Sequence, residues 1–152
     1  MEPPNKGLQF LTANDWALLR DKARERLFQK DQRLIHEGLA GNTLFIIKSG
    51  TARVERKNGM QAIRIATLGA GDICGEMSFI EKSSASASVI ADEELTTDAL
   101  EAGTLQTLFE SFPHVGARFF RSVALTLSRR LRATSTELTK AKSANQSAAP
   151  AK

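Results

Sequence analysis

The hydrophobic pattern of this chain changes its period near Gly103, and that change limits the folds open to it. Before Gly103, short segments of alternating apolar and polar residues are separated by glycines, which is typical of β-strands joined by tight turns. After Gly103, apolar residues recur at helical spacing. No strand segment alternates with a helical one, so the pattern excludes a doubly wound sheet and predicts an antiparallel roll or sandwich followed by helices.

The strand boundaries follow from the glycines and from the alternation. Asn58-Gly59 is the strongest hairpin signal in the chain. A capping box from Thr12 to Asp15 starts a helix that we expect to reach Arg24. The predicted strands cover 26–29, 33–36, 43–48, 51–56, 61–68, 88–91 and 95–100.

A long helix is predicted after Pro113, which ends a shorter helical segment and suits the first turn of the next. We expect this long helix to run to about Ala141. Its apolar residues follow the 4-3 spacing of a coiled-coil seam, which predicts a homodimer, although packing on the chain's own body is the alternative. The seam consists of Phe120, Ala124, Leu127, Leu131, Thr134 and Leu138.

Length and composition indicate one domain with a hydrophobic core, because the chain has 152 residues and 41% hydrophobic content. We expect a flexible N-terminus over 1–11, one folded domain over 12–142 and a disordered, Ala/Ser-rich tail over 143–152. No apolar run approaches the length of a membrane span, so a membrane is not expected as a partner. The single Cys74 cannot form an internal disulfide, which fits a cytoplasmic location.

Two function classes are disfavoured by residue counts and charge. The chain has two histidines and one cysteine, too few for the metal site of a cupin-type enzyme, so we expect no cofactor. Between residues 115 and 142, seven cations face the single acid Glu137. Such a segment can bind nucleic acid, but the solvated outer face of a dimer helix is the commoner explanation, so we do not expect DNA as a partner.

The stretch 75–80 and the serine-rich loop after it are unusual for a connection between strands. The Glu76 carboxylate can accept hydrogen bonds from sugar hydroxyls, and clustered backbone NH groups with serine hydroxyls can hold an anion. A sugar and a phosphate close together suggest a nucleotide. The alternative interpretation is a polar surface loop.

Over residues 12–140 the chain resembles the cyclic nucleotide-binding domain family, and within it the bacterial catabolite activators. The matching landmarks are Glu37-Gly38, 41–50, Gly71-Asp72, 75–80 and 127–135. The resemblance implies a mainly β fold: an eight-stranded, antiparallel, jelly-roll-like β-roll with an N-terminal helix and a long C-terminal dimerisation helix. It also implies a regulatory sensor rather than an enzyme, with cAMP or cGMP as the ligand.

The resemblance also assigns ligand contacts. Glu76 matches the acid that binds the ribose 2′-hydroxyl, and Ser86-Ala87 matches the pair that contacts the phosphate. Thr134 and Ser135 match helix positions that contact the purine, one of them across a dimer. The full set of candidate ligand-binding residues is Gly75, Glu76, Met77, Ser84, Ala85, Ser86, Ala87, Thr134 and Ser135.

One position departs from the family pattern: the arginine that binds the phosphate falls on Ala85. A charge-assisted hydrogen bond contributes about 1.5–3 kcal/mol, so its loss lowers affinity by roughly one to two decades. Lys82 is the only nearby cation. We therefore expect cyclic nucleotide binding to be weak or lost, and a ligand-free dimerisation module is an alternative.

A second departure concerns the output. Too few residues follow the dimer helix for a helix-turn-helix domain, since the chain ends at Lys152. We therefore do not expect a complete transcription factor, whereas the sensor half of a Crp/Fnr-type regulator is an alternative. The sequence does not indicate which other protein would be the partner.

Overall fold

The computed structural model describes residues 6–147 of the chain, which form eight strands and four helices. In chain order these are α1 (Ala13–Lys22), β1 (Arg24–Phe28), β2 (Arg33–Ile35), β3 (Thr43–Ser49), β4 (Ala52–Asn58), β5 (Gln61–Leu68), β6 (Ile73–Cys74), α2 (Glu76–Glu81), β7 (Ser88–Ala91), β8 (Leu95–Glu101), α3 (Ala102–Ser111) and α4 (Pro113–Ser147).

The strands form two four-stranded antiparallel sheets, with the orders β1-β8-β3-β6 and β2-β7-β4-β5. This arrangement confirms the eight-stranded β-roll. Strand β6 was not predicted, because a strand of two residues is too short to show an alternating pattern. It is defined instead by its pairing with β3, in which Cys74 lies opposite Phe45.

Strand β3 shows why an uninterrupted apolar run is needed at the centre of this fold. Its side chains alternate between two cores. Leu44 and Ile46 face the core between the first sheet and the helices, which also contains Phe119 of α4. Phe45 and Ile47 face the core between the two sheets. Because both faces of β3 are buried, both sets of positions must be apolar.

The first helix begins as predicted and ends earlier. Thr12 accepts a hydrogen bond from the Asp15 NH, and the Asp15 carboxylate accepts one from the Thr12 NH, so the capping box is present. The predicted end at Arg24 is wrong by two residues. Ala23 is extended, with ψ of 150°, and Arg24 already pairs with Ala99 of β8.

The N-terminal region predicted to be flexible over 1–11 is packed over residues 6–11, so that prediction is wrong there. Leu8 is 1% exposed and belongs to the core beneath the helices. The Gly7 NH donates to the Gly71 carbonyl at 2.9 Å, and the Thr126 hydroxyl donates to the Gly7 carbonyl at 2.8 Å. The segment is fixed because its apolar side chain fills space between the sheet and α4. Residues 1–5 lie outside the described residues.

Helix α4 continues to Ser147, beyond the predicted end at Ala141. The disordered tail predicted over 143–152 is therefore wrong for 143–147, and the remaining residues lie outside the described range. The reason is that 143–147 contain no glycine or proline, and extending a helix that already exists costs little. Only the first half of α4 is packed, because every residue from 131 to 145 is exposed.

Candidate functional site

The candidate site begins at the turn between β6 and α2. Gly75 adopts a φ of +89°, and a Cβ at this position would meet the carbonyl oxygen of Thr43. Both the conformation and the space therefore require glycine. The tight turn makes Glu76 the first residue of α2, and this helix contacts strand β3.

Glu76 is bound by an arginine of the long helix. The Arg130 Nη1 donates to the Glu76 Oε1 at 2.7 Å, and its Nη2 donates to the Ile73 carbonyl at 2.7 Å. Glu76 is 4% exposed. Burial raises the pKa of Glu76 above its ordinary value, and the charge of Arg130 offsets part of that rise. The carboxylate predicted to bind ribose is thus occupied by a group of the same chain.

A second contact joins α2 to α4. The Phe79 ring packs edge-on against Phe119, with centroids 5.9 Å apart, and stacks on Phe120 at 5.9 Å. Phe119 is completely buried, whereas Phe120 is 44% exposed. The short helix that carries the candidate ribose acid is therefore attached to α4 by an ion pair and by an aromatic cluster.

A cavity of about 180 Å³ lies beside this turn. Gly75 and Ala85, two of the predicted ligand-binding residues, both line it, together with Phe45, His36 and Arg26. A larger surface groove of about 440 Å³ lies at the end of α1 and along α3, and it contains none of the predicted site residues. We take the smaller cavity as the candidate site because the sequence features of the turn and the loop converge on it.

The other predicted site residues lie outside the lining of this cavity. The Met77 side chain is 47% exposed, and Ser84 and Ser86 are also exposed. Ala87 is half-buried. Thr134 and Ser135 are exposed on the free half of α4. Within one chain, the structure thus brings Gly75 and Ala85 together and leaves the two hydroxyl residues of α4 apart from them.

The serine-rich loop is partly tied down by its own backbone. The Ala85 NH donates to the Leu39 carbonyl at 3.0 Å, and the Gly38 NH donates to the Ala85 carbonyl at 2.8 Å. Ala40 and Ser84 form an isolated antiparallel bridge next to these bonds. The NH of Ala85 is therefore already used, so the loop offers fewer donors to an anion than its composition suggests.

Sequence reasoning missed two arginines of this region. Arg130 lies four residues before Thr134, one turn away on the same face of α4. The predicted purine contact at Thr134 could therefore have indicated Arg130 as a second residue near the site. Arg26 lies two residues before Phe28 in β1, so strand alternation places both on one face. Both arginines could have been found by applying the spacing of helices and strands to charged residues as well as to apolar ones.

Several cations of α4 contact other parts of the domain, so fewer of them can bind nucleic acid than their number suggests. Arg118 forms an ion pair with Asp15, and Arg130 forms one with Glu76. The Arg121 guanidinium lies 4.0 Å from the centroid of the Phe10 ring. Three of the seven cations between 115 and 142 therefore have partners within the domain, which weakens the case for nucleic acid binding.

Between residues 6 and 147, no group of three His, Cys, Asp or Glu side chains is placed to hold a metal ion. None of the helices in the same range has the length and apolarity needed to cross a membrane.

Comparison with known proteins agrees with this geometry. Residues 25–112 match the model of the cyclic nucleotide-binding domain family. The chain is 32% identical over 116 residues to the cyclic AMP receptor protein of Thermus thermophilus, covering 76% of this chain and 52% of that protein. It is 31% identical over 128 residues to cyclic GMP-binding protein C of Dictyostelium discoideum, covering 83% of this chain and 5% of that protein. The chain thus spans only part of either relative.

A solved structure supports the fold. The cyclic nucleotide-binding domain from Methylobacillus flagellatus superposes with a TM-score of 0.81 at 23% identity, covering 89% of this chain and 82% of that one. The β-roll, the Gly-Glu turn and the family match together show that the chain belongs to the cyclic nucleotide-binding domain family, a family of regulatory domains.

Proposed function

We propose that this chain is a sensor module that binds a cyclic nucleotide, cAMP or cGMP, and signals through a homodimer formed by α4. The observation that carries the proposal is the Glu76–Arg130 ion pair. It joins the residue expected to bind ribose to the helix expected to transmit the signal. The names of the two relatives, a cyclic AMP receptor and a cyclic GMP-binding protein, support the ligand class.

The proposed mechanism is a competition for the Glu76 carboxylate. A ribose hydroxyl that donates to Glu76 replaces at least one hydrogen bond from Arg130, which weakens the link between α2 and α4. Phe79 of α2 also packs on Phe119 and Phe120 of α4. A shift of α2 would therefore displace α4 through these rings as well as through the ion pair. If α4 has two positions in equilibrium, a ligand shifts that equilibrium only as far as its affinities for the two conformations differ.

The affinity is expected to be low because Ala85 carries no cation. Replacing it with arginine restores a charge-assisted contact, so Ala85→Arg should raise the affinity for cAMP by roughly ten- to a hundredfold. Glu76→Gln in the same background should remove part of that gain, because the ribose hydroxyls lose a charged acceptor.

Isothermal titration of the full chain with cAMP and with cGMP tests the binding. Sedimentation equilibrium with and without the better ligand tests the signal, since the dimer dissociation constant should change on binding. Ser83→Arg places the same charge two residues earlier in the loop, on an exposed side chain outside the cavity lining, and is the matched control for Ala85→Arg.

The proposal is contradicted if neither nucleotide binds to the correctly folded wild type or to Ala85→Arg. Dimerisation without any nucleotide binding would instead support the ligand-free dimerisation module. If binding occurs and the dimer constant does not change, the ligand part stands and the signalling part is wrong.

A further inference from the structure

Arg26 of β1 lines the same cavity as Ala85 and Gly75. Strand alternation places Arg26 on the same face of β1 as the buried Phe28, while Leu27 between them lies on the other face and is 58% exposed. The Arg26 side chain is exposed and lies at the mouth of the cavity. A guanidinium is therefore present at the cavity whose loop lacks one.

Aromatic rings hold the Arg26 guanidinium at the cavity wall. Its Cζ lies 5.1 Å from the centroid of the Phe28 ring and 5.6 Å from that of Phe45, and these two rings pack edge to face. The backbone is fixed as well, because Arg26 pairs with Thr97 in β8 and its carbonyl accepts a hydrogen bond of 3.0 Å from the Thr97 hydroxyl. Contacts of this kind leave the NH donors of the guanidinium edge free to bind an acceptor.

The charge of Arg26 is not neutralised within the part of the chain that the structure describes. Among residues 6–147, no carboxylate forms an ion pair with Arg26, in contrast to Arg53, which has three, and to Arg118 and Arg130, which have one each. The cavity lining contains no Asp or Glu. An uncompensated cation in a concave site attracts anions.

We infer that Arg26 supplies the phosphate-binding cation of this site in place of an arginine at position 85. The inference rests on the proposed cyclic nucleotide ligand and names the residue that binds its anionic group. Lys82, the cation nearest in sequence, is exposed and does not line the cavity. A guanidinium also suits a phosphate better than an ammonium, because it offers two parallel donors.

The test compares two ligands and three proteins. Wild type, Arg26→Gln and Arg33→Gln are titrated with cAMP and with adenosine, which has the nucleoside but no phosphate. Arg33 on β2 is exposed, does not line the cavity and is the matched control for the lost charge. Arg26→Gln should weaken cAMP binding by roughly ten- to a hundredfold and leave adenosine binding unchanged, while Arg33→Gln changes neither.

Two additional variants keep the test decisive. Arg26→Lys retains the charge without the two parallel donors, so it should bind cAMP with an affinity between wild type and Arg26→Gln. Ala85→Arg added to Arg26→Gln should restore binding, because it returns a guanidinium to the same cavity. The restored binding would also show that Arg26→Gln is folded.

The outcomes separate this inference from the proposed function. If wild type binds cAMP and Arg26→Gln binds it equally well, Arg26 is not the phosphate ligand, although the nucleotide site stands. Equal weakening of cAMP and adenosine would place Arg26 against the nucleoside and also overturn the inference. If wild type and Ala85→Arg bind neither cAMP nor cGMP, the proposed function fails and this inference fails with it.

Discussion

Arg118 of α4 donates two hydrogen bonds to Asp15 of α1, from Nε to Oδ2 at 2.6 Å and from Nη2 to Oδ1 at 2.9 Å. The same carboxylate closes the capping box with Thr12. Asp15 is 2% exposed, so one buried charge both starts the first helix and attaches it to the last.

This pair predicts a specific dependence of stability on pH. The hydrogen bond from Arg118 is the main cause that lowers the pKa of Asp15 to about 2 from an ordinary value of 3.8. A carboxyl with a lowered pKa stabilises the fold above its unfolded pKa and loses that contribution as pH falls through the folded one. The Asp15 contribution should therefore be complete above about pH 4 and disappear towards pH 2.

Asp15→Asn should lower the free energy of unfolding at pH 7 by about 2 kcal/mol, the value that corresponds to such a shift. The difference from wild type should shrink as pH falls below about 4, because the carboxyl of the unfolded wild-type chain then binds a proton that the folded state, with its pKa of about 2, does not. Urea unfolding at pH 7, 5 and 3 measures it. Asp21→Asn, at an exposed position of the same helix, is the control. A difference that stays constant down to pH 3 would contradict the assignment.

The ion pair between Glu76 and Arg130 makes a different stability prediction. Arg130→Gln leaves a buried carboxylate without its counter-charge, which should lower the free energy of unfolding by about 1–3 kcal/mol at pH 7. Because burial already raises the pKa of Glu76, the loss should diminish at acid pH, where the carboxyl is protonated in the fold.

A double-mutant cycle measures this pair. Glu76→Gln added to Arg130→Gln should recover part of the lost stability, because the unpaired charge is removed. Arg129→Gln, at an exposed neighbouring position of α4, controls for the change in helix charge. Strict additivity of the Glu76 and Arg130 substitutions would show that the two side chains are not coupled.

The turn before α2 predicts opposite effects for one substitution at two glycines. Gly75→Ala should lower the free energy of unfolding by more than about 1 kcal/mol, because φ is +89° and the new Cβ meets the Thr43 carbonyl. Gly103→Ala meets no atom within 4 Å and lies in helix α3, so it should leave stability unchanged or raise it by up to about 1 kcal/mol. Thermal unfolding of the two variants gives the comparison, and equal effects would refute it.

The strands, the capping box and the change of period near Gly103 could be predicted from sequence because each is a local pattern. Glycine also marked the turn at Gly75. What local patterns could not show was the pairing of distant side chains. The Glu76–Arg130 bond joins residues 54 positions apart, and no periodicity connects them.

The N-terminal segment was mispredicted for a related reason. The packing of Leu8 depends on a gap between the sheet and α4 that exists only in the folded chain. Composition therefore indicated a loose segment where tertiary contacts fix one. In the same way, Arg26 comes from strand β1 and Ala85 from the loop between α2 and β7, and only the folded β-roll brings them to one cavity.

The coiled-coil seam of α4 lies beside the helix face that packs on the domain. The helix packs on the domain through Val115, Phe119 and Val123, which are at most 4% exposed. The seam begins one residue further along, about 100° around the helix from this buried line, with Phe120 packed against Phe79 of α2. Two of its later positions are uncovered: Ala124 is exposed, and Leu131 is 68% exposed. Packing on the chain's own body thus does not account for these seam positions, although Leu127 is partly packed against the core.

Leu131→Glu should convert the proposed dimer into a monomer, because it places a charge where the seam would exclude water. Ala133→Glu adds the same charge at an exposed position outside the 4-3 pattern and should leave the dimer intact. Sedimentation equilibrium distinguishes these outcomes at tens of micromolar, roughly the range where dimers of moderate affinity persist. A wild type that is monomeric at these concentrations, or a Leu131→Glu variant that dimerises as well as Ala133→Glu, would remove the seam from the proposed mechanism.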